Sequence, residues 1–354
     1  MRTIVIICGV RPQYIKAKAL YRELVASGIS PGNIKTVDTG QHYDAELCDR
    51  IIDEIALPID LRIKHARDAS ALAIIAASIT QLEIFLSSYT VEKPLVVVFG
   101  DANPALSGCL AAVKLGCPVL HVEAGARRDP SEQEHLNSKI IDSVAKVKLC
   151  VTERAVANLV AEGNGENTHL SGDMAIRWYA ELVQEISAGC AWAPNSPILV
   201  TLHRPNNMSR PLIDILVAEL LQQPRAVNWI LHPRSIPYLQ QYSGRPGNIK
   251  FLQPLSFYAV LKELSNSQVL ITDSGGLARE AVYVKVPVLM RRNTGGWPEL
   301  RDLNLLRNLS VTAEDIMNGL AWAAAVRSGY PPVNPFYIEG GVEQAIQMIK
   351  KELT

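Results

Sequence analysis

Three carboxylates in this chain stand where they could move protons. Asp101 follows the apolar run 95–99, Glu123 follows the run 119–122, and Glu134 opens the helical pattern behind them. A carboxyl group held beside a reacting carbon serves as a general acid or base. Groups suited to an anion recur at comparable places. Arg11 and Lys16 follow the first apolar run, 3–8; His203 and Arg204 follow the run 198–202; Ser274, Gly275 and Gly276 join the run 269–272 to a helix. A strand, a Ser-Gly-Gly turn and a helix N-terminus aim bare backbone N–H groups at one spot, which suits a diphosphate. Glu280, on the same helix face as Gly276, could accept bonds from ribose hydroxyls. Gln41 and His42 add polar groups after the run 34–38.

The elements that must position these groups are parallel strands. Apolar, β-branched runs such as VVVF and VLHV, with a helical pattern between them, indicate strands buried on both faces and joined by crossover helices. Ligands of such sheets lie outside the carboxyl ends of the strands, where most of the groups named above fall. Pro12 fits the first turn of the helix after 3–8, because its missing N–H costs nothing there. Arg11 then sits at a helix N-terminus and Lys16 about one turn inside it. Strand and helix alternate in two successive blocks, with further strands expected at 34–38, 148–152, 168–173, 229–231, 250–252 and 288–290. The expected fold is α/β, two Rossmann-like doubly wound domains facing a central cleft. Residues 1–188 form the first domain, with the acids, and 189–341 the second, with the nucleotide site. The segment 189–197, with Gly, two Pro and Asn, is the expected connection, and the last helix, 342–354, could pack on either domain.

At 354 residues the chain is long enough for two domains of ordinary size. Its 35 basic and 35 acidic residues balance, so bulk charge recommends neither nucleic acid nor an anionic membrane as a partner. The six cysteines are scattered and form no C-x-x-C pair, which fits buried thiols in a reducing cytosol better than disulfides or zinc. No ligand cluster for a metal or redox cofactor is visible. The apolar start TIVIICG is about half as long as a secretory signal needs, and nothing elsewhere approaches the roughly 18 apolar residues of a membrane span. A soluble, cytoplasmic protein is expected.

The motifs GVRPQYIKAKAL, TGQH, FGD, HVEAG, VTLHR and TDSGG follow one another between Gly9 and about Glu299. In that order they resemble the G-T-R-P-E-x-I-K, TGQH, H-G-D, HVEAG, V-T-G-H-R and TDSGG of the non-hydrolysing UDP-N-acetylglucosamine 2-epimerases. The resemblance implies a GT-B-like pair of domains, a UDP-sugar substrate, no cofactor and, as is usual in that family, a homodimer. It implies that Asp101, Glu123 and Glu134 are the essential acids and that His203 joins them close to the diphosphate. Arg11, Lys16, Ser274, Gly275, Gly276 and Glu280 would hold the UDP portion, with Gln41, His42 and Arg204 completing the binding set. Glu134 is placed by Asn137 and Asp142, which match the family's P-E-E-x-N-R-x-x-x-D, with three residues missing just before it. The implied chemistry is elimination. UDP leaves C1 as the C2 proton is removed, a 2-acetamidoglucal forms, and UDP returns after protonation on the other face.

Departures from the pattern gather around the substrate. P-E-E-x-N-R reads Gln133-Glu134-His135-Leu136-Asn137-Ser138; H-R-x-E-N reads His203-Arg204-Pro205-Asn206-Asn207; and R-x-T-E-R-P-E has Trp297 in place of one Arg. Val260 stands at a position where the family has a base-stacking aromatic, with Phe257 and Tyr258 near enough to substitute. The sugar nucleotide therefore stays open between UDP-N-acetylglucosamine and a diacetamido or uronic relative from a surface-polysaccharide or secondary-metabolite pathway. A hydrolysing relative that releases UDP is an alternative, although it would resemble G-S-R-A-D-Y in the first loop. A GT-B glycosyltransferase is another, although it has no need of three acids, and neither has a sensor of sugar nucleotides.

Overall fold

Runs of Ile and Val too apolar to face water on either side have to lie inside a layered sheet, and two such sheets form. The structure, a computed structural model, describes residues 2–41, 45–66, 69–187, 192–242, 244, 247–292, 297–310 and 312–354. Strands β1 (Ile4–Cys8), β2 (Ile34–Asp38), β3 (Leu61–Arg62), β4 (Leu95–Phe99), β5 (Val119–Val122), β6 (Val147–Cys150) and β7 (Thr168–Leu170) make a parallel sheet ordered β3-β2-β1-β4-β5-β6-β7. Its helices are α1 (Arg11–Ala26), α2 (Ala45–Glu54), α3 (Ala71–Ser87), α4 (Asn103–Lys114), α5 (Gln133–Val144), α6 (Glu153–Ala161) and the start of α7 (Ile176–Ser187). A second parallel sheet joins β8 (Ile198–Thr201), β9 (Val227–Ile230), β10 (Ile249–Leu252), β11 (Val269–Thr272), β12 (Val288–Met290) and β13 (Leu306–Asn308) in the order β10-β9-β8-β11-β12-β13. Helices α8 (Arg210–Leu221), α9 (Ile236–Leu239), α10 (Phe257–Ser265), α11 (Gly275–Tyr283), α12 (Pro298–Asp302) and α13 (Ala313–Ser328) accompany it, and α14 (Gly341–Lys351) follows. The two doubly wound α/β units are those expected; the short strands β3 and β13 are additional.

The units are Met1–Trp178 with Phe336–Thr354, and Tyr179–Pro335. The division falls inside α7, ahead of the 189–197 segment, part of which lies outside the described residues. Neighbouring aromatic residues of that helix commit to different cores. Trp178 lies under the Arg22 guanidinium in the first unit, whereas Tyr179 stacks on Tyr283 at 4.3 Å in the second. The last helix returns to the first unit, where Arg2 N donates to Leu353 O at 3.2 Å and Lys146 pairs with Glu352 at 2.6 Å.

In both sheets the strand order reverses beside the first strand of the unit, between β1 and β4 and between β8 and β11. Loops on the two sides of such a point diverge and leave a crevice at the carboxyl ends. On one face of the first sheet, Val5, Ile7, Val96 and Val98 pack against Leu82, Leu86, Ala105 and Cys109, each large apolar side chain contributing about 1.5–3 kcal/mol by its burial. The buried cysteines Cys8, Cys109, Cys117 and Cys150 are free thiols. Burial pushes Cys109 and Cys150 up to about 12, which keeps them unreactive.

The glycine that closes HVEAG has a steric reason. Gly125 has φ +74, and a Cβ there would lie 2.2 Å from the Ala155 carbonyl oxygen at the start of α6. Backbone cannot yield to it. Gly125→Ala is expected to lower stability by about 3 kcal/mol, the sum of left-handed strain and displacement of α6; urea unfolding measures the loss.

Candidate active site

In the first unit the acids stand at neighbouring strand ends. Gly100 N, just past β4, donates to Val122 O at 2.8 Å, which sets Asp101 beside Glu123 at the end of β5. Asp101 accepts from Arg128, Nε to Oδ2 at 2.5 Å and Nη2 to Oδ1 at 3.2 Å. Glu123 adopts φ +70, a conformation that side chains other than glycine avoid and that persists where surrounding structure imposes it. Its carboxylate is paired with Lys16 of α1. Gly100 has φ +61, and a Cβ there would press on Glu123 Oε2 at 3.2 Å, so its bareness gives that carboxylate room. Glu134 lies in the first turn of α5 and is half-buried.

The remaining HVEAG side chain supports this arrangement from beneath. His121 is fully buried, with Nδ1 2.7 Å from Asp142 Oδ1 and Nε2 2.8 Å from the Gly100 carbonyl. Both ring nitrogens thus lie against an acceptor oxygen, which fixes the ring between Asp142 and Gly100. Asp142 also takes Arg127 Nη1 at 2.8 Å and Gly125 N at 3.2 Å. Burial pushes its carboxyl up, but bonds from His121 and Arg127 outweigh that and hold it below the usual carboxylate range. Asn137 Nδ2 donates to Asp101 O at 2.9 Å. Arg11 is the first residue of α1, whose N-cap, Val10, makes no side-chain bond. Gln41 is half-buried with Oε1 unpartnered. His42 lies outside the described residues.

In the second unit Ser274 caps α11, its Oγ accepting from Leu277 N at 3.2 Å, so that Gly275 and Gly276 present the first-turn amides. Trp297 Nε1 donates to Gly275 O at 3.1 Å, and the Arg279 guanidinium lies 5.1 Å from the Trp297 ring. Glu280 is buried, with 3% of its surface exposed. Phe257 is in the core against Tyr179 and is no platform for a base, whereas Tyr258 is half-buried. His203 and Arg204 are half-buried after β8. His203 Nδ1 lies 2.8 Å from Asp273 Oδ1.

Asp273 binds this loop to the end of β11. It accepts from His203 N at 3.1 Å, Arg204 N at 2.9 Å and Asn207 Nδ2 at 2.8 Å, with its side chain fully buried. Burial alone would raise its pKa, but the His203, Asn207 and Arg204 bonds bring it down to about 2. A carboxyl depressed on folding adds stability above its unfolded value, about 3.9, and that stability is lost as pH falls through about 2. Asp273→Asn is therefore expected to flatten the fall in stability between about pH 4 and pH 2 by about 2 kcal/mol, read by urea unfolding across that range. TDSGG draws attention to Asp273 in the sequence, but nothing local marks Asn207 or His121 for these contacts.

A family model described as UDP-N-acetylglucosamine 2-epimerase matches residues 30–350. The chain belongs to the UDP-N-acetylglucosamine 2-epimerase family. It is an isomerase of that family, with two doubly wound units of the GT-B-like kind. A UDP-N-acetylglucosamine 2-epimerase homolog of Methanococcus maripaludis is 28% identical over 311 residues, 84% of this chain and 85% of that protein. The UDP-2,3-diacetamido-2,3-dideoxy-D-glucuronate 2-epimerase of Pseudomonas aeruginosa is also 28% identical, over 84% of this chain and 85% of its own. The crystal structure of UDP-GlcNAc 2-epimerase from Neisseria meningitidis bound to UDP-GlcNAc shares the fold, with TM-score 0.86, 21% identity and coverage of 99% and 100%. Among the described residues of this epimerase-family chain, no helix is long and apolar enough to cross a membrane, and no cluster of His, Cys, Asp and Glu could hold a metal ion.

Proposed function

We propose that the chain is a non-hydrolysing 2-epimerase that interconverts the gluco and manno forms of a UDP-N-acetylhexosamine. The observation that carries this reading is the placement of Asp101 and Glu123 at adjacent strand ends, each with its own cation, Arg128 and Lys16. C2 of such a sugar has no carbonyl beside it, so its proton is not acidic enough to leave as a simple enolate. Departure of UDP from C1 supplies the driving force. The C2–H pair becomes the C1=C2 bond, the C1–O bond breaks with its electrons on the diphosphate, and a 2-acetamidoglucal remains. Reversal from the other face gives the epimer. Asp101 and Glu123 transfer the two protons, and Glu134 steadies positive charge on the ring.

Arg11, Lys16, Arg204, His203 and the first-turn amides of α11 hold the diphosphate before and after it leaves, which lowers the barrier by several kcal/mol in total. Gln41, His42 and Glu280 complete the binding set in this reading. It also entails a cytoplasmic enzyme, where UDP-sugars are made, and a homodimer, which sedimentation would test.

The deciding experiment is proton NMR of the purified protein with UDP-N-acetylglucosamine in deuterated water. Deuterium at C2 with a UDP-linked manno epimer supports the proposal. Free UDP with the free 2-epimer would establish the hydrolysing reaction instead. The Pseudomonas relative is as similar as the Methanococcus one, so UDP-2,3-diacetamido-2,3-dideoxy-D-glucuronate is the second substrate assayed. Silence with both would end the epimerase reading for these sugars.

A further inference from the structure

Arg128 belongs to none of the six motifs, yet its guanidinium meets Asp101 side-on, with contacts of 2.5 and 3.2 Å. A two-point fork sets the plane of a carboxylate as well as its place, which a point charge such as Lys does not. The backbone on both sides of the pair is tied to the start of α5. Arg128 O lies 2.9 Å from His135 Nδ1, and Asn137 Nδ2 donates to Asp101 O at 2.9 Å and to Asn103 Oδ1 at 3.2 Å. Burial weighs against the guanidinium's charge, but Asp101, then Glu132 and Glu134, outweigh it and raise the pKa. One cation thus stands among Asp101 and the acids that open α5. The short loop between Gly125 and α5 brings it there, while Ser138 occupies the position where the family pattern has an arginine after Asn.

We propose that Arg128 is the positioning residue of the C2 proton transfer, holding the Asp101 carboxylate in the one orientation from which it reaches the sugar. The role rests on the epimerase reading above. Arg128 itself neither gives nor takes a proton. It occupies one lone pair on each Asp101 oxygen and leaves the others to receive the C2 proton as the C1–O bond breaks, or to return it.

The test is a double-mutant cycle of Asp101→Asn, Arg128→Met and the pair, with Arg128→Lys as the conservative variant. C2 deuterium uptake and UDP calorimetry are the readouts. Arg128→Met is expected to slow uptake about 10²-fold, the cost of a small misplacement, with UDP affinity within about twofold. Arg128→Lys recovers part of the rate. In the Asp101→Asn background the Met change adds less than about twofold, because no carboxylate remains to be positioned. Uptake at the parent rate in Arg128→Met, or a loss that adds in full to that of Asp101→Asn, overturns the role. If the Met variant does not fold, the Lys variant decides: about tenfold slower is expected, and the parent rate overturns the role. A parent protein that binds UDP but exchanges C2 of neither sugar overturns the epimerase reading and this role with it, a failure visible before any variant is made.

Discussion

Asp101→Asn is expected to bind UDP within about twofold of the parent affinity and to turn over about 10³-fold more slowly. The amide is the size of the carboxylate, and its oxygen can still accept from Arg128, so the loop from Ala126 to α5 keeps its anchor. What disappears is the ability to take a proton from carbon. Calorimetry with UDP and the rate of C2 deuterium uptake separate the two effects. A sensor of sugar nucleotides would keep its binding and show no C2 uptake even in the parent, and parent-like turnover would move the proton transfer to another group. Glu123 is set apart by its strained backbone and its Lys16 partner, so an Asp101 variant leaves that half of the site as it was.

The largest loss of stability from a single side chain is expected at Asp142. Asp142→Ala removes the acceptor shared by His121, Arg127 and Gly125 N. His121 is fully buried and the Arg127 side chain is 12% exposed, so water replaces little of what is lost. Breaking a buried ion pair from one side typically costs about 3–5 kcal/mol, and about 4 kcal/mol is expected by urea unfolding. Asp142→Asn should fall between, since one oxygen still accepts. A loss below about 1 kcal/mol would mean that the site relaxes around the gap and that His121 does not depend on Asp142 to brace Gly100. The expected loss of activity in Asp142→Ala follows from geometry, because Gly100 precedes Asp101.

Much of the candidate site was legible because parallel sheets have polarity. Once 95–99 and 119–122 are strands, Asp101 and Glu123 must emerge at the same edge, and a Ser-Gly-Gly turn after 269–272 must open a helix. Local chemistry also marks Pro12 for the first turn of α1. Phe257 was less legible: it was near enough in sequence to stack on a base, yet the core claims its ring. A helical period states which residues share a face but not what that face meets.

Thus the residues in order determined two doubly wound units, the strand-end location of the acids and the helix-opening turns before α1 and α11, since each depends on patterns a few residues long. Tertiary structure alone decided the partners. Lys16 meets Glu123 across 107 positions and Asn207 meets Asp273 across 66, because β4 lies between β1 and β5 and because β8 lies beside β11. It likewise decided that α7 is divided between units and that α14 returns to the first. Such pairings follow from strand order and from which cores have room for Trp178, Tyr179 and the last helix. Those are properties of the packed whole, and no window of sequence contains them.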